Sequence, residues 1–257
     1  MAAKWTLITG ASEGLGVEFA RIAAAEGRDL ILVARQAAKM ERLAEDLRAR
    51  HPIAVEVWPA DLGNPEAVET LWRKAALRRH IEIVVNNAGL GANGPFAGRD
   101  FDREMSSVMV NVAALTILTK RAVAHMLQQG GGRILNVGST AGFMPGPNMA
   151  VYHATKAYVL SLGEAVAEEL RGTPVTVTTL CPGATATNFA RSAGMEGITL
   201  FTALKPAGAA PVARAGWRAM KAGRRVKVTG PHNWLFSVGP RFVPRAVVPR
   251  IAAIFLK

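Results

Sequence analysis

Six short apolar runs recur through the first 180 residues: KWTLIT (4–9), DLILVA (29–34), AVEVW (54–58), IEIVVN (81–86), GRILNVG (132–138) and PVTVTTL (174–180). They are rich in β-branched residues, and each has the length of a strand. Between the first two, Leu15, Phe19, Ile22 and Ala23 fall at i, i+4, i+7 and i+8, the stripe of a helix lying on a sheet. Met40, Leu43 and Leu47 repeat the pattern after the second run, and Asn64-Pro65 opens another helix with proline in its first turn. Asp102 to Leu127 is long enough for a large helix. Near-continuous apolar strands separated by helices predict a parallel sheet covered on both faces, and right-handed crossovers make it doubly wound. No repeat or low-complexity linker interrupts the order, so residues 1–230 read as one α/β domain.

Composition adds little to this picture, but the placement of charge adds more. The chain has 257 residues, half of them hydrophobic, which suits one globular domain. No run of about 18 uninterrupted apolar residues predicts a spanning helix. The first strand begins too early to leave room for a signal peptide. A single cysteine, Cys181, rules out an internal disulfide and reads as a small buried hydrophobe. A cytoplasmic protein is the default expectation. The net charge of +12 is concentrated at one end: residues 197–257 hold eleven basic side chains and no acidic one, whereas the rest is nearly balanced. That end includes PVARAGWRAMKAG, which reads as a helix, RVKVTG, which reads as a last strand, and a basic, apolar tail at 231–257. Self-association or internal packing, and contact with a membrane surface, are both open for the tail. Nucleic acid is not expected, because no groove-reading or stacking motif accompanies the cations.

The chemistry begins at TGASEGLG, immediately after the first strand. Glycines there allow backbone to approach a charged ligand at a helix N-terminus, where free N–H groups favour anions. Gly10, Ser12, Glu13, Gly14, Leu15 and Gly16 are therefore candidate phosphate-binding residues, although a glutamate in that turn does not favour a phosphate nearby. After the second strand, where an acidic residue would accept from a ribose hydroxyl, the chain has Arg35 and, one turn on, Lys39. Cations there suit a 2′-phosphate, which favours NADP(H) over NAD(H); the alternative is a pair of solvated surface cations. Asp61 and Leu62 could meet an adenine, or Asp61 could cap a helix. Asn87, Ala88 and Gly89, within NNAG, could pass close to a ribose.

Ser139 lies just beyond the fifth strand, Tyr152 thirteen residues later, and Lys156 one further helical turn on. Taken singly, the last two are an ordinary i, i+4 pair. Asn111 falls inside the long helix, where an amide lowers helix propensity and invites a reason. A cation near a phenol can lower its pKa by up to ~3 at about 4 Å. His153 is assigned no role, on the expectation that it points to another side of its helix. After Thr187, residues 188–208 read as an apolar flap, with Phe189, Met195, Leu200 and Phe201 suited to a greasy substrate.

Together these residues resemble the short-chain dehydrogenase/reductase family: TG-x-x-x-G-x-G at Thr9–Gly16, NNAG at 86–89, Asn111, Ser139, Y-x-x-x-K at Tyr152–Lys156, and Pro182-Gly183 with Thr187. The resemblance implies a single-domain Rossmann-type fold of about seven parallel strands and nicotinamide-dependent interconversion of a carbonyl and an alcohol. It implies that Tyr152 is the general acid/base, that Ser139 polarises the substrate oxygen, that Lys156 also holds the nicotinamide ribose and that Asn111 anchors a water. It further implies that Pro182, Gly183, Thr187 and, less specifically, Thr185 meet the nicotinamide. A homodimer or homotetramer through the long helices is implied as well. More loosely, the tail resembles that of the branch with acyl-CoA, steroid and other lipid-like carbonyl reductases. The rival reading is a catalytically idle dinucleotide-binding sensor or scaffold.

Overall fold

In the computed structural model, which describes residues 4–195 and 206–256, the six apolar runs form β1 (Lys4–Thr9), β2 (Asp29–Ala34), β3 (Val55–Pro59), β4 (His80–Asn86), β5 (Gly132–Val137) and β6 (Val175–Cys181). A short β7 (Val226–Val228) joins them. All pair in parallel, in the order β3-β2-β1-β4-β5-β6-β7. The order reverses between β1 and β4, so the carboxyl ends of these two strands open a crevice.

The helices are, in chain order, α1 (Gly14–Ala25), α2 (Ala37–Arg50), α3 (Pro65–Ala76), α4 (Phe101–Val108), α5 (Leu115–Gln128), α6 (Ala150–Glu169), α7 (Phe189–Ser192), α8 (Ala209–Lys221), α9 (Pro231–Val238) and α10 (Val248–Phe255). Alternation along β2 shows how the two layers form: Leu30 and Leu32 face one side, Ile31 and Val33 the other. Phe19, Met40, Leu47 and Trp217 cover the first side from α1, α2 and α8. Val68, Trp72, Leu118 and Met126 cover the second from α3 and α5. Full burial of a side chain such as Phe19 contributes about 2–3 kcal/mol.

Asn64 caps α3, its Oδ1 accepting from the N–H groups of Glu66 (2.9 Å) and Ala67 (3.2 Å). The capping alternative for Asp61 is thereby removed: Asp61 Oδ1 accepts from Gly63 N–H at 2.9 Å, closing a turn before the cap.

The large helix extends from Phe101 to Gln128, but Met109–Ala114 winds as a π-helix between α4 and α5. By length and composition this helix could cross a membrane, contrary to the expectation that none would. Its stripe of Leu118, Ala122 and Met126 is instead committed to the sheet. The stretch after Thr187 is less irregular than anticipated. It contains α7, and Thr185–Ala186 pairs with Ala207–Gly208 in a two-residue parallel ladder. The central part of the anticipated flap, 196–205 with Leu200 and Phe201, lies outside the described residues.

The tail folds back on the body. Ala252 and Leu256 are buried in one small cluster with Met149, Tyr152, Ala193 and Met195. Phe236 of α9 meets Phe255 of α10 edge to face at 5.6 Å.

Candidate active site

The end of β1 is tied to the end of β4 through one hydroxyl. Thr9 Oγ1 donates to Val85 C=O (3.3 Å) and accepts from the N–H groups of Asn87 (3.0 Å) and Ala88 (3.1 Å). Asn87 Nδ2 returns the link by donating to the carbonyls of Thr9 (3.0 Å) and Gly10 (3.1 Å). Gly10 has φ +65°, and a Cβ there would lie 2.9 Å from Ala88 Cα, so both conformation and space call for glycine. Gly16 does not reach the crevice as expected. Its role is to let α1 seat on the turn: a Cβ would stand 2.1 Å from Gly10 O. We therefore expect Gly16→Ala to cost about 2–3 kcal/mol and to weaken dinucleotide binding. Thermal unfolding and NADPH fluorescence titration check this, and an unchanged melt and affinity would remove Gly16 from that role.

A cavity of ≈ 400 Å³ runs across the carboxyl ends of the strands from this turn to the start of α6. Gly10, Ser12, Glu13, Gly14 and Leu15 line one end. The N-terminus of α1 has no side-chain cap there. Backbone N–H groups at an uncapped helix start, beside a turn that admits no Cβ, fit a dinucleotide phosphate. Arg35, Asp61 and Leu62 line the same end, and Asn87, Ala88 and Gly89 line the middle.

Lys39 departs from expectation. It is absent from the cavity wall and is paired with Glu13, whose other oxygen accepts from Asn188 Nδ2 at 2.9 Å. The hydrogen bond from Lys39, then that from Asn188, holds the Glu13 carboxyl below its ordinary pKa. The glutamate in the glycine turn thus has a cationic partner of its own.

At the other end stand Ser139, Tyr152 and Lys156, all on the cavity wall. Ser139 precedes a 3₁₀ turn (Thr140–Phe143), and its Oγ accepts from Ala141 N–H at 3.1 Å. Tyr152 sits in the first turn of α6, and Lys156 one turn later has its Nζ 5.8 Å from the phenol ring centroid. The two side chains therefore share one side of the helix. Lys156 Nζ donates to Val137 C=O at 2.9 Å.

The electrostatics differ from the expectation that Lys156 lowers the pKa of Tyr152. Burial pushes the phenol up to about 12, against a smaller downward pull from the Ser139 hydroxyl. Burial also brings the Lys156 ammonium down to about 8. The reason is that each group loses water, which disfavours whichever form is charged, while the ammonium is directed at a backbone carbonyl. Cys181 is buried and its thiol is pushed up to about 12 by that burial, consistent with a packing role.

Asn111 lies in the π-helical segment with its amide engaged. Oδ1 accepts from Leu90 N–H (2.8 Å), and Nδ2 donates to Leu90 C=O (2.8 Å) and Thr155 Oγ1 (3.0 Å). It joins the long helix to the loop after β4 and to α6. Pro182, Gly183, Thr185 and Thr187 also line the cavity. Thr185 Oγ1 donates to Gly183 C=O at 3.0 Å, and Thr187 Oγ1 accepts from Phe189 N–H at 3.3 Å. Phe189 stacks beside Tyr152 with centroids 5.5 Å apart.

Sequence reasoning missed part of this wall. His153 is buried against the cavity, edge-on to Tyr152 at 6.1 Å, with Nδ1 bonded to Met144 O at 2.8 Å. It does not point away. Met144 and Met149, and from the tail Asn233, Phe236 and Leu256, also face the cavity. Only the apolar spacing of Val248, Ala252 and Leu256 signalled that the tail had a buried side.

A family model described as short chain dehydrogenase matches residues 4–196. A ketoacyl reductase of a Nostoc species is 32% identical over 209 residues, covering 81% of this chain and 71% of the relative. Among solved structures, a short-chain dehydrogenase from Sphingobium yanoikuyae in complex with NADPH is 31% identical with TM-score 0.84, over 93% of this chain and 90% of the other. A short-chain dehydrogenase/reductase from Burkholderia phymatum in complex with NAD is 27% identical with TM-score 0.81, over 92% of each chain.

Proposed function

The chain belongs to the short-chain dehydrogenase family and is an NAD(P)-dependent oxidoreductase; from that premise we propose that it reduces an apolar carbonyl to a secondary alcohol with NADPH, Tyr152 giving the proton. The observation that carries this reading is the buried Tyr152, with Ser139 and Lys156 beside it, at the far end of a cavity whose other end is the glycine turn.

The dinucleotide, when bound, supplies the hydride in reduction and takes it up in oxidation. The side chains handle the oxygen. Ser139 Oγ holds the carbonyl oxygen toward the phenol, and Tyr152 Oη passes its proton to that oxygen as negative charge develops there. The substrate gains one C–H and one O–H bond, while its carbonyl π bond, the Tyr152 Oη–H bond and the C–H bond that carried the hydride would break, leaving Tyr152 as the phenolate to be reprotonated. A phenol pushed up to about 12 holds its proton at neutral pH, so the proton is present to be given, while burial makes it a weaker acid than a free phenol. Lys156 contributes a positive charge at the same end of the cavity. Asn111 holds the Leu90 loop in place against α6. Phe189, Met149, Met195 and Leu256 give the substrate end an apolar lining, which supports a greasy substrate.

Arg35 carries the choice of NADPH, since it lines the adenine end while Lys39 is occupied with Glu13. Arg35→Asp is expected to shift the NADPH/NADH ratio of kcat/KM toward NADH by at least roughly tenfold, about 1.4 kcal/mol. An unchanged ratio would remove Arg35 from that role. The reading as a whole is tested by a panel of ketones followed through loss of reduced-nicotinamide absorbance; absence of turnover on any of them, with NADPH bound, would favour the idle sensor. Exposed Phe101, Met105, Leu127 and Tyr158 on the long helices supply an apolar surface for a second copy.

A further inference from the structure

Thirteen large apolar side chains are exposed among the described residues, and seven of them lie in 231–256, a tenth of the chain. Single exposed apolar groups need no account, but such a concentration does. On α10 and the residue that precedes it, at about 100° per residue, Val247, Ile251 and Ile254 fall on one arc, and all are exposed, with Phe255 at its edge turned toward Phe236 and the cavity. Val248, Ala252 and Leu256 occupy the adjoining arc and are buried, Ala252 and Leu256 against the body. Arg250 flanks the exposed arc, and Arg241 and Arg245 project from the turn between α9 and α10. All three arginines are exposed, and none takes part in an ion pair among the described residues. On α9, Trp234 and Leu235 are 60% and 65% exposed.

We propose that this surface, Trp234–Leu235 with the exposed arc of α10 and its three arginines, docks on an anionic lipid membrane. Charge selects the occupant. Apolar side chains that enter the headgroup boundary beside unpaired cations match a negatively charged bilayer. A second copy matches poorly: a two-fold contact through this patch would set arginines against arginines, with no carboxylate anywhere in 197–257 to relieve them. The exposed apolar groups of the long helices offer a separate surface for that purpose. The lipid-facing side of α10 and the substrate wall, through Ala252 and Leu256, are two sides of one eight-residue helix. A carbonyl compound dissolved in the bilayer would thus be drawn from the surface on which the enzyme sits; this last step rests on the proposed carbonyl reduction.

The test is flotation of the full chain with vesicles of phosphatidylcholine alone and of phosphatidylcholine mixed with phosphatidylglycerol. Expected is binding to the mixed vesicles, release by high salt, and little binding to the neutral ones. Reversing the three arginines to glutamate (R241E/R245E/R250E) lowers binding on the order of 100-fold. The pair Leu235→Ser and Ile254→Ser lowers it by roughly tenfold or more. Neither variant touches the cavity wall, so NADPH binding and turnover of a water-soluble ketone serve as the folding control. Failure of the wild-type chain to float with anionic vesicles overturns the proposal, as does equal binding by the charge-reversed variant. A concentration-dependent dimer that the Leu235→Ser/Ile254→Ser variant loses, without any flotation, overturns it in favour of self-association. Flotation without turnover on any ketone leaves docking standing and removes the carbonyl-reduction reading instead.

Discussion

Tyr152→Phe is expected to lower kcat for ketone reduction roughly 10³-fold while leaving NADPH affinity within about threefold of wild type. The substitution removes the one oxygen that gives the proton and keeps the ring. The ring contacts with Phe189 and His153 persist, so the wall of the cavity persists with them. Stopped-flow turnover and a fluorescence titration separate the two effects. Retained turnover would mean that another group protonates the substrate, and a lost cofactor site would mean that the phenol holds the fold together. Ser139→Ala serves as a comparison, since it removes a group that orients the oxygen but leaves the proton donor in place.

Lys156→Met should move activity and stability in opposite directions. Turnover falls by roughly 10² or more, because the positive charge beside the phenol is gone. Stability at pH 7 rises by about 1–3 kcal/mol. The sign follows from the ammonium's preference for water. Lys156 titrates at about 8 in the folded protein against 10.5 when free. That preference for the neutral amine corresponds to at most ~3 kcal/mol, reduced by the lost bond to Val137 C=O. Below about pH 8 the lysine is charged in both states, and the folded state carries the full cost of burying it. Between about 8 and 10.5 the unfolded chain binds the proton that the folded protein has released, so wild-type stability climbs with pH. The advantage of the methionine variant therefore shrinks over that window. Denaturant midpoints measured from pH 6 to pH 9.5 check this and stop short of the range in which Tyr152 begins to matter. A variant less stable than wild type at pH 7 would show that the ammonium's contacts outweigh its burial.

These two side chains also show where reading a sequence stops. Spacing alone put Tyr152 and Lys156 on one side of a helix, and they share it. Spacing carries no burial, so the expected direction of the phenol's pKa came out reversed. The strands were legible because a buried parallel strand must be apolar along its length, and the glycine turn because a residue at φ +65° beside backbone has few substitutes. The ion pair between Glu13 and Lys39 was not legible: it joins residues 26 apart, each of which looked available on its own. Nor was the tail's share of the cavity. Periodicity says that Val248, Ala252 and Leu256 bury one side, but only the fold says that Ala252 and Leu256 bury it beside Tyr152. His153 was misjudged for the same reason, since its place depends on the Met144 carbonyl brought round by the turn before α6.

The π-helical segment at Met109–Ala114 fixes how the long helix is phased. Six residues wound at about 4.4 per turn lag an α-helix by roughly 100°. Had the helix been regular throughout, Asn111 would sit in line with Leu118 and Ala122, which lie on the sheet. The slack winding lets one continuous rod present an amide to the Leu90 loop and a greasy seam to the strands, so loss of a single residue within 109–114 would trade one allegiance for the other without shortening the helix by even half a turn.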